Sequence, residues 1–351
     1  MKLINLALTN FRNHKKFKIK FDEKITLITG KNGSGKTNIL EAIHLLSTSK
    51  SFRAGYDKEM INHDSDFTRI DAETSNGDRS KLEMIITKST NFENASSKKV
   101  KINGVTKTIY NFCEKTKTVL FTPEDIELIT GSPSQRRKYI DLVLFQTGIE
   151  YKRASNVYSK ALRQRNKLLE MINEQNVGQG QIDYWTDKVL ENGMIIQNKR
   201  DEFFTFLKEA IKEHGAGLSG KDQVVFGINY KKNQIDEKRL DLYKEKEIMA
   251  KSTLVGPHRD DFEITMNNLD ISAFGSRGQQ RSAVLALKLG EVDYFTQFLY
   301  EQPVLLLDDI FSELDKNHRE AVMKVMNGQQ TIITSTEHFD LPFEFEEIKL
   351  I

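Results

Sequence analysis

"ITLITGKNGSGKTNILEAIHLLS", residues 25–47, opens on a largely β-branched run, Ile25 to Thr29, that feeds straight into a glycine loop. Beyond the loop, Ile39, Leu40, Ile43 and Leu46 recur at helical spacing, so the order is strand, loop, helix. Gly30, Gly33 and Gly35 let the backbone wrap closely enough for successive amides to point at one anionic group, and the helix start adds its favourable field. Eight residues of the pattern, "GKNGSGKT", are those of a phosphate loop. In that frame Lys36 neutralises the β and γ oxygens of a nucleotide and Thr37 holds Mg²⁺, while Lys31, Asn32, Ser34 and Asn38 complete the cradle.

A second apolar run, "VLLLDD", delivers Asp308 and Asp309 at its carboxyl end, where ligands bind in open parallel sheets. Asp308 fits as the acid that reaches Mg²⁺, directly or through water, and Asp309 as the residue that orients or deprotonates an attacking water. The plainer alternative is a solvated pair of acids at a strand end. A third motif, "SRGQQR" from Ser276 to Arg281, opens a helix whose Val284, Leu285, Leu289 and Val292 form an apolar face. Ser276 and Gly278 then lie near an exposed helix N-terminus with donors to spare. Such a start suits DNA phosphate, an acidic partner or the γ-phosphate of a second nucleotide.

With 351 residues the chain is long enough for a substantial core and for two lobes. Its 52 basic and 50 acidic side chains nearly cancel, so net charge does not announce a partner. A single cysteine, Cys113, excludes an intramolecular disulfide framework and a thiolate zinc site, and points to a reducing compartment. The apolar start is too short for a secretory signal, and no run approaches the ~18 apolar residues of a membrane span. The expectation is a soluble cytoplasmic protein with no membrane partner.

Short strands are expected in "LINLALTNF", "FKIKF", "TRIDAET", "KLEMIIT", "KKVKING" and "TVLFT". "GSPSQRRKYIDLVLF" then starts a helix, with Ser132 as N-cap, Pro133 at the first position and Gln135 as the reciprocal capping side chain. From Tyr151, Ala154, Val157, Ala161, Leu168 and Ile172 share one helical face. After "NVGQGQ" a second helix resumes, so two antiparallel segments of about 25 to 30 residues, roughly 40 Å long, form an arm. Strands return in "QVVFGINY" and "DFEITMNN", and the last is "QTIITST". The ATPase core is therefore expected over 1–122 and 221–351, with a helical insertion over 123–220.

Local charge carries the case for DNA. Seven cations in the first 24 residues face only Asp22 and Glu23, a local +5 in a chain that is +2. Alternation in "KKFKIKF" sets Lys16, Lys18 and Lys20 on one strand face with Phe17, Ile19 and Phe21 inside. "SSKKVKING", with Lys98 and Lys99, and "RQRNK" are further candidates, against the alternative of ordinary surface solubility. With no base-reading motif, backbone and shape contacts dominate. Arg136, Arg137 and Lys138 occupy a helix start, where cations gain nothing from the dipole, so a phosphate, an acidic partner or a solvated face is open. In "VGPHRDD", His258 with Asp260 and Asp261 is a weak metal set; buttressing of the following helix, with Arg259 free for an ion pair, is the stronger expectation.

"SRGQQR" resembles the signature of ATP-binding-cassette ATPases, with Arg277 in place of the usual glycine, and "SELD", Ser312 to Asp315, resembles their D-loop. Together they imply two ATPs sandwiched between two subunits, with Ser276, Arg277, Gly278, Gln279 and Asp315 acting across the seam. More specifically, "LTNFRNH", "GKNGSGKTNILEAI", "SKSFR", "FTPEDIELITGSPSQRRKYID", "LVGPHRDDF", "SRGQQRSAVLALKLGE" and "LLLDDIFSELD" follow in the order and spacing of the RecF family of recombinational DNA repair proteins, across essentially the whole chain. The resemblance implies an α/β, ABC/SMC-like P-loop ATPase head with an inserted short antiparallel helical arm and no long coiled coil. It implies a bacterial cytoplasmic, nucleoid-associated ATPase using ATP and Mg²⁺, an ATP-dependent homodimer on double-stranded and gapped DNA. It also implies RecR and RecO as partners in gap repair, fork recovery and the SOS response. By similarity to SMC-type heads, Arg12 senses the nucleotide; the alternative is a surface arginine after a strand. Lys36, Ser276 and Asp309 are the catalytic candidates, and aspartate where most cassettes carry glutamate implies slow hydrolysis. A transporter ATPase would need a membrane partner, and a scaffold would bind nucleotide without turnover.

Overall fold

The apolar runs at residues 25–29, 304–308 and 331–335 are buried at every position, as strands of a parallel sheet covered on both faces must be. The structure, a computed structural model, describes residues 1–21, 24–89, 96–174, 181–218 and 224–350. Its contacts divide the chain into two units, Met1–Asp125 with Lys288–Ile351, and Ile126–Leu287.

In the first unit β1 (Lys2–Phe11), β2 (His14–Lys20) and β3 (Ile25–Thr29) lead into α1 (Lys36–Thr48). They are followed by β4 (Phe67–Asn76), β5 (Asp78–Lys88), β6 (Ser96–Ile102), β7 (Val105–Lys107), α2 (Ile109–Cys113) and β8 (Thr118–Phe121). The second unit holds α3 (Glu127–Thr130), α4 (Pro133–Thr147), α5 (Ile149–Asn173), α6 (Ile182–Leu218), β9 (Phe226–Lys231), α7 (Glu237–Ala250), β10 (Asp261–Met266), β11 (Leu269–Asp270) and α8 (Ile271–Phe274). Helix α9 (Arg277–Leu299) begins there, and the chain returns to the first unit for β12 (Val304–Asp308), α10 (Lys316–Met326), β13 (Thr331–Ser335) and β14 (Glu346–Lys349).

Two sheets build the first unit. The parallel sheet runs β14-β3-β13-β12-β8, and the antiparallel one β2-β1-β4-β5-β6-β7. Because β3 and β12 both flank β13 in parallel register, the loop after β3 and the acids after β12 emerge at the same sheet edge. The sequence reading ends the strands at residues 331–335, but β14 adds one more on the far side of β3.

In the second unit α5 and α6 are antiparallel: Arg165 bonds Thr186 near the connecting end and Arg200 bonds Tyr151 at the other. Their connection at 175–180 lies outside the described residues. The expected lengths need correction, since α6 has 37 residues, ~55 Å at 1.5 Å each. The buried stripe of α5 is also turned from the expected one: Ala154, Tyr158, Ala161, Arg165 and Leu169 are inside, whereas Val157 is exposed. Burial of Arg165 is possible because it pairs with the buried Glu247 at 2.7 Å.

Of residues 221–287, expected with the ATPase core, the described part, 224–287, groups by contact with the helices. The reason is visible in the packing: β9 lies against α6, with Phe226 filling the space beside Gly215, and β10 pairs with β9. The segment around His258 forms the polar centre of this unit. Asp260 is fully buried and accepts bonds from Arg200 Nη1 at 2.8 Å, Gln197 Nε2 at 3.0 Å, the Asn233 amide at 2.8 Å and the Tyr230 hydroxyl. Asp261 takes a bidentate bond from Arg136 at 2.6 and 2.9 Å, and Arg137 donates to the Asp260 carbonyl. Arg136 and Arg137 are thereby accounted for by structure rather than by an external phosphate. Arg259 donates to the Thr253 carbonyl at 3.5 Å. Burial pushes His258 down to about 4, and a neutral ring with its proton on Nε2 satisfies both its contacts, donating to Thr253 O and accepting from Tyr158 Oη.

Candidate functional site

The loop after β3 is shaped by two left-handed glycines, Gly33 at φ +84° and Gly35 at φ +100°. A side chain at Gly35 would also strike His14, whose Nε2 would lie 2.4 Å from the added carbon. Gly30 is packed against Leu350 and Ser34, and the Ser34 amide closes the turn onto Lys31 O at 3.1 Å. Lys36 is buried and donates to the carbonyls of Gly30 at 2.6 Å and Lys31 at 3.1 Å, so its ammonium sits over the cradle. Ser34 Oγ is buried with no hydrogen-bond partner among the described residues, and Asn32 is exposed at the loop tip.

Asp308 meets the loop helix. Thr37 Oγ1 donates to Asp308 Oδ1 at 2.9 Å, and Thr334 Oγ1 donates to the same oxygen at 2.6 Å. Burial pushes the Asp308 carboxyl above its usual range, against those two hydroxyl bonds and the charge of Arg53. Asp309 stands in the left-handed region at φ 51°, with its amide on Thr334 and a buried Oδ1 that has no hydrogen-bond partner among the described residues. An unsatisfied buried carboxylate oxygen beside a strained backbone carries a free-energy cost that a water or ligand hydrogen would relieve.

One hydroxyl and one hard carboxylate oxygen, 2.9 Å apart at the start of α1, are a donor set that suits Mg²⁺, which uses one or two protein ligands and leaves its other positions to phosphate and water. The residues present therefore fit the ion that the loop implies.

Arg12 is placed differently from a freely projecting sensor. Its Nε and Nη2 form a bidentate pair with Glu41 at 2.9 and 2.7 Å, and Nη1 reaches Glu59 O. Glu41, fully buried on α1, also accepts from Ser51 at 2.5 Å and from Arg53 at 2.9 Å. Arg53 bonds Asn38 Oδ1, Asn38 donates to Asn13, and Asn13 donates to Gly33 O at 3.1 Å. Arg12 thus belongs to a connected cluster at the mouth of the phosphate loop. Sequence reading missed Glu41, Arg53 and Asn13 as members, although "NFRNH", "LEAI" and "SKSFR" contain all three.

In the second unit Ser276 caps α9 reciprocally: its amide donates to Gln279 Oε1 at 2.8 Å and its Oγ accepts from the Gln279 amide at 3.3 Å. Ser276, Arg277 and Gly278 are exposed, and none of the described residues lies within 4 Å of a side chain built at Gly278. Gln280 is turned inward onto Ile271 O. Back in the first unit, Asp315 caps α10 through the His318 amide at 3.0 Å, a bond that lowers its carboxyl together with the His318 ring.

Among the DNA candidates, Lys16, Lys18 and Lys20 are exposed on edge strand β2, opposite Thr9, Ala7 and Asn5, while Ile19 and Phe21 are buried. Lys98 and Lys99 fall on opposite faces of β6. Lys99 is exposed, but Lys98 turns inward to Asp57 at 2.9 Å and Ser49 O at 2.6 Å, which removes it from a DNA-facing set.

The parallel sheet, its phosphate loop and the acids beside it define a P-loop ATPase head of ABC/SMC type, and the model of the RecF/RecN/SMC N terminal domain matches residues 2–341. DNA replication and repair protein RecF of Shouchella clausii is 35% identical over 348 residues, 94% of this chain and 91% of that one. RecF of Bacillus velezensis is 33% identical over 353 residues, 96% and 93% of the two chains. The chain belongs to the RecF family. A solved RecF–ATP structure, described as the recombination mediator of the RecFOR pathway, superposes with a TM-score of 0.87 at 34% identity over 97% of this chain and 93% of that one. The Smc head bound to the winged-helix domain of ScpA shares the fold, with a TM-score of 0.52 at 17% identity over 96% of this chain and 90% of that one. Among the described residues no helix is long and apolar enough to cross a membrane.

Proposed function

We propose that this protein is an ATP-switched DNA clamp that acts in the repair of single-strand gaps and the recovery of stalled replication forks. The observation that carries the reading is the 2.9 Å contact of Thr37 with Asp308, which joins the phosphate loop to the acid strand in one site. Solved RecF structures named for ATP, and the RecFOR pathway in which they are placed, support ATP as the ligand and RecO and RecR as partners.

The amides of residues 30–35 and the Lys36 ammonium bind and orient the phosphates. Thr37 and Asp308 would hold Mg²⁺, which when bound neutralises charge developing on the phosphate oxygens. Asp309, whose buried Oδ1 has no partner among the described residues, accepts a hydrogen bond from the attacking water and aligns it. Ser276, Gly278 and Asp315 serve the nucleotide of a second subunit, so ATP supplies contacts that only a closed dimer possesses and shifts that equilibrium. Exposed Lys16, Lys18, Lys20 and Lys99 contact double-stranded and gapped DNA through its backbone, and slow hydrolysis resets the clamp.

Asp309→Asn tests this division of labour. It is expected to keep Mg-ATP binding while turnover falls about a hundredfold or more, the usual worth of a positioned base. Unchanged turnover would show that Asp309 is not the water-orienting group and would favour a scaffold that binds without hydrolysis.

A further inference from the structure

Thr334 holds a position no motif marks. It lies on β13, the strand between the phosphate-loop strand and the acid strand, opposite Asp308 in the parallel register. Its side chain is buried, and its hydroxyl serves both acids: Oγ1 donates to Asp308 Oδ1 at 2.6 Å and accepts from the Asp309 amide at 3.2 Å. The Asp309 amide also meets the Thr334 carbonyl at 3.2 Å, so Thr334 holds the amide side of the left-handed turn at Asp309, while Ser312 Oγ donates to the Asp309 carbonyl at 2.7 Å.

The arrangement matters because the other hydroxyl on Asp308 is shared. Under the proposed function the Thr37 oxygen would also serve the metal. Thr334, one strand away and behind the carboxylate, keeps its bond throughout. Asp308 is the last residue of its strand and Asp309 occupies a left-handed conformation that is costly for a non-glycine residue, so both need support from neighbouring groups. We propose that Thr334 is the positioning residue of the acid pair: its single hydroxyl aims Asp308 at the metal and fixes the turn that presents Asp309. This inference rests on the proposed Mg-ATP site and adds the group that orients its carboxylates.

The test compares wild type, Thr334→Val and Thr334→Ser for affinity toward a fluorescent ATP analogue in EDTA and across a Mg²⁺ titration, with turnover and melting recorded in parallel. Thr334→Val should match wild type in EDTA, because the phosphate loop is untouched. It should need about tenfold more Mg²⁺ for half-saturation and turn over about tenfold more slowly with little change in KM, as loss of an outer-shell partner commonly does. Thr334→Ser, which keeps the hydroxyl, should restore both. The proposal is overturned if the valine variant responds to Mg²⁺ as wild type does, or if serine is as defective as valine. Should the valine variant melt below the assay temperature, Thr334→Ala gives the same comparison with a smaller side chain. A wild type that gains no affinity from Mg²⁺ contradicts the proposed function itself, a result distinct from a variant that matches a responsive wild type.

Discussion

Glu41 shows how a single buried charge organises the mouth of the phosphate loop. Its carboxylate is removed from water on α1, which by itself would raise its pKa, but Arg12, Ser51 and Arg53 outweigh burial and hold it below the usual carboxylate value of 4.5. A lowered folded pKa means stability that is present above the unfolded value and lost as pH falls through the folded one. Glu41→Gln should therefore destabilise the protein at pH 7 by about 2 to 3 kcal/mol, somewhat under the full cost of orphaning a buried charge because Arg53 reaches solvent. The difference from wild type should shrink as pH drops below the carboxylate range, and denaturant melts across pH check both sign and window. A constant difference at all pH values would mean that packing, not charge, is what Glu41 supplies. Lys36, Thr37, Asp308 and Asp309 were legible in the sequence because their chemistry is local: a loop spacing, or two acids at the end of an apolar run. Glu41, Arg53, Asn13 and Thr334 were not, because each acquires its role only when separate strands and turns converge. Lys98 and Lys99 show the limit most sharply. Adjacent and alike in sequence, they are sent to opposite faces by strand parity, which no composition argument resolves.

Elements were readable where one face is apolar and illegible where burial is achieved by paired charges. The strand at residues 304–308 and the helix from Arg277 declare themselves through Leu and Val, whereas α7 buries little besides Leu240 and the ion-paired Glu247 and so carries no apolar period to detect. Strand β14, "EEIK", is half-covered and similarly silent, yet it borders the phosphate-loop strand and gives Thr29 a side-chain partner in Glu347 at 2.8 Å. The same logic corrects α5, whose inward stripe includes Arg165. It also gives "VGPHRDD" its physical meaning, since the turn supplies the acid around which α6, β9 and α4 are assembled. Asp260→Asn removes the charge opposing Arg200 and should cost about 3 kcal/mol or more, the penalty of leaving a buried charge short of its partner. Hydrogen exchange followed by element should show α6 and β9 losing protection while β3 and β12 keep theirs. Uniform loss would mean that the two units unfold as one.

For the molecule as a whole, DNA affinity should come from a few exposed lysines on the β2 edge rather than from net charge, which is only +2. Each phosphate contact contributes about 0.9 to the log-log salt slope, so a Lys16/Lys18/Lys20→Ala variant should lower that slope by roughly 2 to 3. Lys98→Ala, by contrast, should leave the slope unchanged and lower the melting temperature, because its partner Asp57 is structural. The larger claim is that one subunit's phosphate loop and another's Ser276 helix start form a single nucleotide site. Sedimentation of wild type and Ser276→Arg with Mg-ATP, with and without duplex at low and moderate salt, tests it most directly. Wild type is expected to dimerise with ATP and bind DNA more tightly, while Ser276→Arg binds ATP yet stays monomeric. Wild type that remains monomeric under every condition, or a Ser276→Arg variant that dimerises equally well, would contradict it.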